Sequence, residues 1–156
     1  MEMDTVYMLE TNIDDASGEV MGNLIDSLME QGAKDVSIIP AVAKKGRPAY
    51  ITRVMCDYEQ IGTMLNTLIQ ESGTLGVRVQ QTSRYIVPRA VLSVPVSIKG
   101  EAFVVRVKVV KEQDRIVYAK PEYDDVKNIA SKLKIPYRTA SSLINQAILE
   151  KLSVLK

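Results

Sequence analysis

Glu10, Asp14, Asp15 and Glu19 crowd four carboxylates into the passage from an alternating segment to an amphipathic one. Oxygen ligands at that density can hold a hard divalent ion. They also suit the start of a helix, where the dipole favours acids and Asp15 or Ser17 can serve as cap. Lys44, Lys45 and Arg47 surround Gly46. Lysine supplies a point charge, arginine a two-pronged fork, and glycine lets backbone amides approach, so this loop can grip a phosphate chain. A solvated basic hairpin tip has the same composition. Thr74-Leu75-Gly76-Val77-Arg78 has the character of an anion loop, yet no G-x-x-x-x-G-K-[ST] run occurs anywhere, so the chain is no P-loop enzyme by motif. Arg84 and Arg89 bracket Tyr85-Ile86-Val87-Pro88, the expected join between two halves, where small-molecule sites often form; they are equally plausible as surface cations. Tyr118 to Asp125 gathers Lys120, Glu122 and Tyr123 at an expected helix start. Helix electrostatics accounts for its acids, while its tyrosines are able to stack on a base or ribose.

What the chain lacks narrows the chemistry further. It has no histidine, no tryptophan, one phenylalanine and one cysteine, Cys56, in 156 residues. Ser-His-Asp and Cys-His nucleophiles, His-ligated zinc and Cys-x-x-Cys redox pairs are all excluded. Cys56 sits in an apolar run and reads as a small buried hydrophobe. A formal charge of +1 argues against a delocalised hold on nucleic acid, and no segment nears the roughly 18 apolar residues that span a bilayer. With no internal disulfide possible and no basic-then-apolar opening, a cytoplasmic location is expected, with neither nucleic acid nor membrane as partner.

The elements that must position these groups follow from periodicity. Thr5 to Ile13 alternates as a strand, and Val20, Met21, Leu24, Ile25, Leu28 and Met29 form one helical stripe that Gly32 stops. Val36–Ala43 and Tyr50–Cys56 flank the basic loop as a hairpin. Asp57 with Gln60 reads as a capping box for a helix over Ile61 to Ile69 that ends near Gly73, and a strand is expected from Gly76 onward. This order predicts an α+β fold, a ferredoxin-like split βαβ sandwich (βαββαβ) over residues 1–87. Residues 88–156 are expected to form a smaller module packed on it. Its parts are a β-hairpin about Lys99-Gly100, a short strand over Arg115 to Ala119, a helix with Pro121 in its first turn, and a last helix marked by Ala140, Leu143, Ile144, Ala147, Ile148 and Leu152.

Five phrases stand in order: Leu9-Glu10-Thr11-Asn12-Ile13-Asp14-Asp15, Lys44-Lys45-Gly46-Arg47-Pro48, Thr74-Leu75-Gly76-Val77-Arg78, Val87-Pro88-Arg89 and Ala119-Lys120-Pro121-Glu122-Tyr123-Asp124-Asp125. Together they resemble the C-terminal half of the nickel-pincer nucleotide cyclometallases, the nickel-insertion proteins that complete the cofactor of lactate racemase. The family's Ala-Pro-Glu-Tyr here carries an inserted Lys120, and Ala16-Ser17 replaces its usual acidic-Met pair. The resemblance implies a lyase-class, CTP-dependent reaction that places nickel, as substrate ion, into pyridinium bisthiocarboxylate mononucleotide, with Mn or Mg accompanying CTP. It implies nucleotide or phosphate contacts from Lys44, Lys45, Arg47, Thr74, Arg78, Arg84, Arg89, Lys120 and Tyr123, and metal contacts from Glu10, Asp14, Asp15 and Glu122. The implied partners are CTP, the pyridinium substrate, the N-terminal half of the same enzyme, and further copies in a homo-oligomer, for which a hexamer is the expectation.

Two other roles compete. The apolar end of the last helix (Leu149, Leu152, Val154, Leu155) fits an oligomerisation scaffold, and ferredoxin-like folds also serve as small-molecule sensors. Nickel's preferred imidazole and thiolate ligands are nearly missing while oxygen ligands abound. This half is therefore expected to handle the nucleotide and its hard cation, with nickel supplied elsewhere.

Overall fold

In the computed structural model, residues 1–113 and 115–153 are described. They fall into two compact units, one of residues 3–86 and one running from Val87 onward together with Met1 and Glu2.

The first unit is built from β1 (Glu2–Ile13), α1 (Gly18–Glu30), β2 (Asp35–Val42), β3 (Pro48–Cys56), α2 (Ile61–Ser72) and β4 (Arg78–Ile86). Its sheet has the order β2-β3-β1-β4, with β3 antiparallel to both β1 and β2. That is the split βαβ arrangement expected from the element order. Alternation divides the strands cleanly. Leu9 and Ile13 of β1 and Val54 and Cys56 of β3 join Met21, Leu24 and Leu28 of α1 and Met64 and Leu68 of α2 in one buried core, while Glu10, Asn12 and Arg53 point away from it. Cys56 is fully buried, and burial pushes its thiol pKa up, in keeping with an inert hydrophobe.

Caps set the helix ends. Ser17 is the N-cap of α1 and accepts from the Val20 amide at 3.3 Å, while Asp15 stays in the preceding loop. Gly73 closes α2 in the left-handed conformation (φ 70°), donating its amide to the Ile69 carbonyl. The expected Asp57–Gln60 capping box does not form. Residues Tyr58–Gln60 wind into a 3-10 turn instead, and the Asp57 carboxylate pairs with Lys34 at 2.8 Å, a partner far away in sequence. The basic loop between β2 and β3 is likewise a 3-10 turn, Lys44–Gly46, with Lys45 (φ 63°) and Gly46 (φ 71°) both left-handed.

The second unit is a three-stranded antiparallel sheet, β5 (Ala90–Ile98), β6 (Glu101–Glu112) and β7 (Arg115–Pro121), with α3 (Tyr123–Lys132) and α4 (Tyr137–Ser153). Lys99 and Gly100, both at positive φ, make the two-residue turn joining β5 to β6. Val94, Val96, Ile98, Val105, Val107 and Val109 meet Val126, Ile129, Ala140, Ile144 and Ile148 in a separate core. Pro121 is the buried last residue of β7 rather than part of α3: the Glu122 amide donates to the Arg106 carbonyl and so extends the pairing with β6 one residue past it. Leu152 is buried and Leu149 exposed; Val154 and Leu155 lie outside the described residues. No helix among the described residues is long and apolar enough to cross a membrane.

Candidate functional site

Strand register brings three loops of the first unit to one end of its sheet. Ile13 pairs with Tyr50 and Val42 with Pro48, so the Asp14–Ser17 loop and the basic turn leave the sheet side by side. The α2–β4 loop is tied to the same end by Thr11, whose hydroxyl donates to the Gly76 carbonyl at 2.8 Å. Thr74 lies 2.6 Å from Thr11 oxygen to oxygen. The Thr74 hydroxyl also donates to the Gly76 carbonyl at 3.3 Å, so the two hydroxyls and that carbonyl shape the loop together.

On the face away from the helices, Glu10 stands opposite Arg53 in register. Arg53 Nε donates to Glu10 Oε2 at 2.6 Å. Arg78, the first residue of β4, donates to Oε1 through Nε (3.2 Å) and Nη2 (3.0 Å), and Nη2 also reaches Asn12 Oδ1 at 2.6 Å. The hydrogen bonds from Arg53, and then those from Arg78, hold the Glu10 carboxyl below the ordinary glutamate range. One negative charge thus faces two positive ones. Arg47 adds a longer pair to Asp14 at 3.7 Å, and Lys44, Lys45 and Asp15 are exposed. The cluster therefore carries excess positive charge beside two loop carboxylates.

The other candidates stand further along β4 or in the second unit. Arg84, near the far end of β4, is held by Asp4 through two hydrogen bonds (3.1 and 2.6 Å), which lower the Asp4 pKa. Asp4 is six positions from Glu10 on the same strand, about 20 Å along it. Arg89, Lys120, Glu122 and Tyr123 belong to the second unit. Glu122 takes Lys108 Nζ at 2.9 Å, Lys120 is exposed, and Tyr123 packs on Tyr137 with ring centres 5.4 Å apart and Lys127 above its ring at 5.9 Å. Beside them Asp125 accepts from the Arg106 amide (2.8 Å) and from Arg106 Nε (3.0 Å) and Nη2 (2.8 Å), which lowers its pKa.

Among the described residues no group of three or more histidine, cysteine or acidic side chains is placed to hold a metal ion. Within the first unit, Glu10, Asp14 and Asp15 therefore do not form a protein-only cage. Arg53 and Asn12 are the two residues of this cluster that sequence reasoning missed. Asn12 lies inside the Leu9–Asp15 phrase, and its two-residue offset from Glu10 on a strand is the signal that places both on one face.

The nickel insertion protein family model matches residues 1–141, and the chain belongs to that family. A nickel insertion protein of Methanosphaera stadtmanae is 45% identical over 136 residues, covering 86% of this chain and 34% of the relative. The pyridinium-3,5-bisthiocarboxylic acid mononucleotide nickel insertion protein of Acetivibrio thermocellus is 36% identical over 146 residues, 94% of this chain and 35% of its own length. The chain thus spans about a third of these curated relatives. Among solved structures, the apo C-terminal domain of a cyclometallase involved in synthesis of the NPN cofactor of lactate racemase superposes with a TM-score of 0.82 at 34% identity, covering 94% of this chain and 99% of that one. The likeness to a C-terminal domain agrees with the resemblance of the five phrases to the C-terminal half of the family.

Proposed function

We propose that this chain binds CTP with Mn or Mg and works with the N-terminal portion of its longer relatives to insert nickel into pyridinium bisthiocarboxylate mononucleotide. In the product nickel has one bond to carbon and two to sulfur, which makes the whole enzyme a lyase-class cyclometallase. The observation that carries the reading is the loop end of the first sheet, where Lys44, Lys45 and Arg47 stand beside the Asp14–Asp15 loop, with Arg53 and Arg78 on the strands leading to it. A triphosphate with its ion needs several cations and one or two carboxylates, and this set supplies both. Lys44, Lys45 and Arg47 would contact the phosphates, Asp14 and Asp15 the ion or its waters, and Thr74 would hold the loop in shape. The ion would neutralise phosphate charge and fix the conformation of the triphosphate. Calorimetric titration with CTP and Mn tests the reading: saturable binding of CTP in preference to ATP supports it, and no binding, or equal binding of both, sinks it.

A second reading, that the chain also assembles copies or docks the N-terminal half, is favoured by Leu149, Val91 and Val104 of the second unit, which are 65%, 56% and 65% exposed. Light scattering discriminates: a monomer at working concentration removes the homo-oligomer.

A further inference from the structure

We propose that Arg53 and Arg78 form a paired guanidinium seat for one phosphoryl group, and that Glu10 is the positioning residue that holds the pair rather than a ligand of the divalent ion. The proposal rests on the CTP reading and names the subsite within it. Three observations carry it. Both oxygens of Glu10 are engaged by arginine, Oε2 by Arg53 and Oε1 by Arg78, so a metal at Glu10 would have to displace guanidiniums bonded at 2.6 to 3.2 Å. Arg53 spends only Nε on Glu10, and among the described residues its two terminal nitrogens, like Nη1 of Arg78, make no hydrogen bond. Those nitrogens are paired donors of the kind that suits phosphate oxygens. Finally, the cluster keeps a net positive charge and is half open to solvent, the side chains of Arg53 and Arg78 being 48% and 54% exposed against 31% for Glu10.

Strand geometry explains why Glu10 can do this. It faces Arg53 across β1 and β3, and β4 brings Arg78 from the other side, so one carboxylate fixes two long side chains that would otherwise sample many rotamers. An anion entering such a seat loses less entropy than one that must gather two free arginines.

Binding of inorganic tripolyphosphate to the 156-residue chain, measured by calorimetry in EDTA at low salt and again with Mn, tests the inference. Arg53→Gln and Arg78→Gln should each weaken metal-free binding about tenfold. Glu10→Asp keeps the charge but shortens the reach, so it should weaken metal-free binding at least about threefold with the melting temperature within about 2 °C of the parent. Glu10→Gln should leave the affinity gain on adding Mn unchanged. Displacement of bound tripolyphosphate by CTP assigns the seat to the nucleotide, and displacement only by a pyridinium mononucleotide assigns it to the phosphate of the substrate. Three results would overturn the proposal: parental affinity in both arginine variants, loss of the Mn gain in Glu10→Gln, or an affinity loss in Glu10→Asp matched by a collapse in melting temperature. Absence of metal-free tripolyphosphate binding would also overturn it, yet saturable binding of CTP with Mn in the same preparation would leave the nucleotide reading standing.

Discussion

The two units each hold a carboxylate clasped by arginine, and the clasps differ in kind. In the second unit Asp125 receives three hydrogen bonds from a single residue, Arg106, one of them from its backbone amide, and Glu122 is matched by one lysine. Charges there cancel one for one, and the backbone bond fixes the β6–α3 geometry. In the first unit one carboxylate, Glu10, is shared by two arginines whose outer nitrogens remain open, with Arg47, Lys44 and Lys45 at the same end of the sheet. A closed, neutral clasp serves the fold; an open, over-cationic one has attraction left for an anion. Counting partners per carboxylate separates the two more sharply than the residue types do.

The largest expected effect breaks the open clasp alone. Arg53→Ala combined with Arg78→Ala should weaken CTP binding in the presence of Mn about 100-fold, each lost charged hydrogen-bond set being worth about a factor of ten, while Arg106→Ala changes it less than about twofold. Titration of the three proteins side by side checks the contrast. Next in size, Arg47→Ala or Lys45→Ala should cost about five- to tenfold in the same assay with a steeper fall at low salt than at high, since exposed cations act through screened attraction.

For the closed clasp the readout is stability. Asp125→Asn should lower unfolding stability by about 1 kcal/mol, at the low end because Arg106 is half exposed, and leave CTP affinity unchanged. Its pH signature has a definite sign. Arg106 depresses the folded pKa of Asp125 below the ordinary 3.8, so the stabilisation is present above that value and is lost as pH falls through the lower folded value. Thermal melts below about pH 4 should therefore show the parent losing its advantage over Asp125→Asn. The smallest effect concerns Thr52, fully buried on the helix side of β3, with a hydroxyl that has no hydrogen-bond partner among the described residues. Thr52→Val keeps the shape and removes the unsatisfied group, so chemical denaturation should show a neutral to slightly stabilising change of up to about 1 kcal/mol.

Much of the fold was legible because it depends on local patterning. The stripe through Leu24 and Leu28, the alternation through Leu9 and Ile13, and the stops at Gly73 and Lys99-Gly100 report their elements directly. The failures share a cause. Asp57 has the sequence of a local cap and is claimed by Lys34 from the α1–β2 loop; Pro121 has the sequence of a helix opener and is drawn into β6–β7 pairing. Of the site, the loops and their cations were visible, but the engagement of Glu10 was not. Its partners stand 43 and 68 residues away, and Arg53 is embedded in the apolar run that ends at Cys56. Only sheet register brings them together, and register is set by the whole fold.

The central claim is that the open cluster of the first unit takes a nucleotide triphosphate with its ion. Calorimetric titration of the chain with CTP and Mn, repeated with ATP, tests it most directly. Saturable CTP binding, weaker for ATP and lost on substitution of Arg53 and Arg78, is the predicted result; absence of binding, or equal affinity for the two nucleotides, would contradict it.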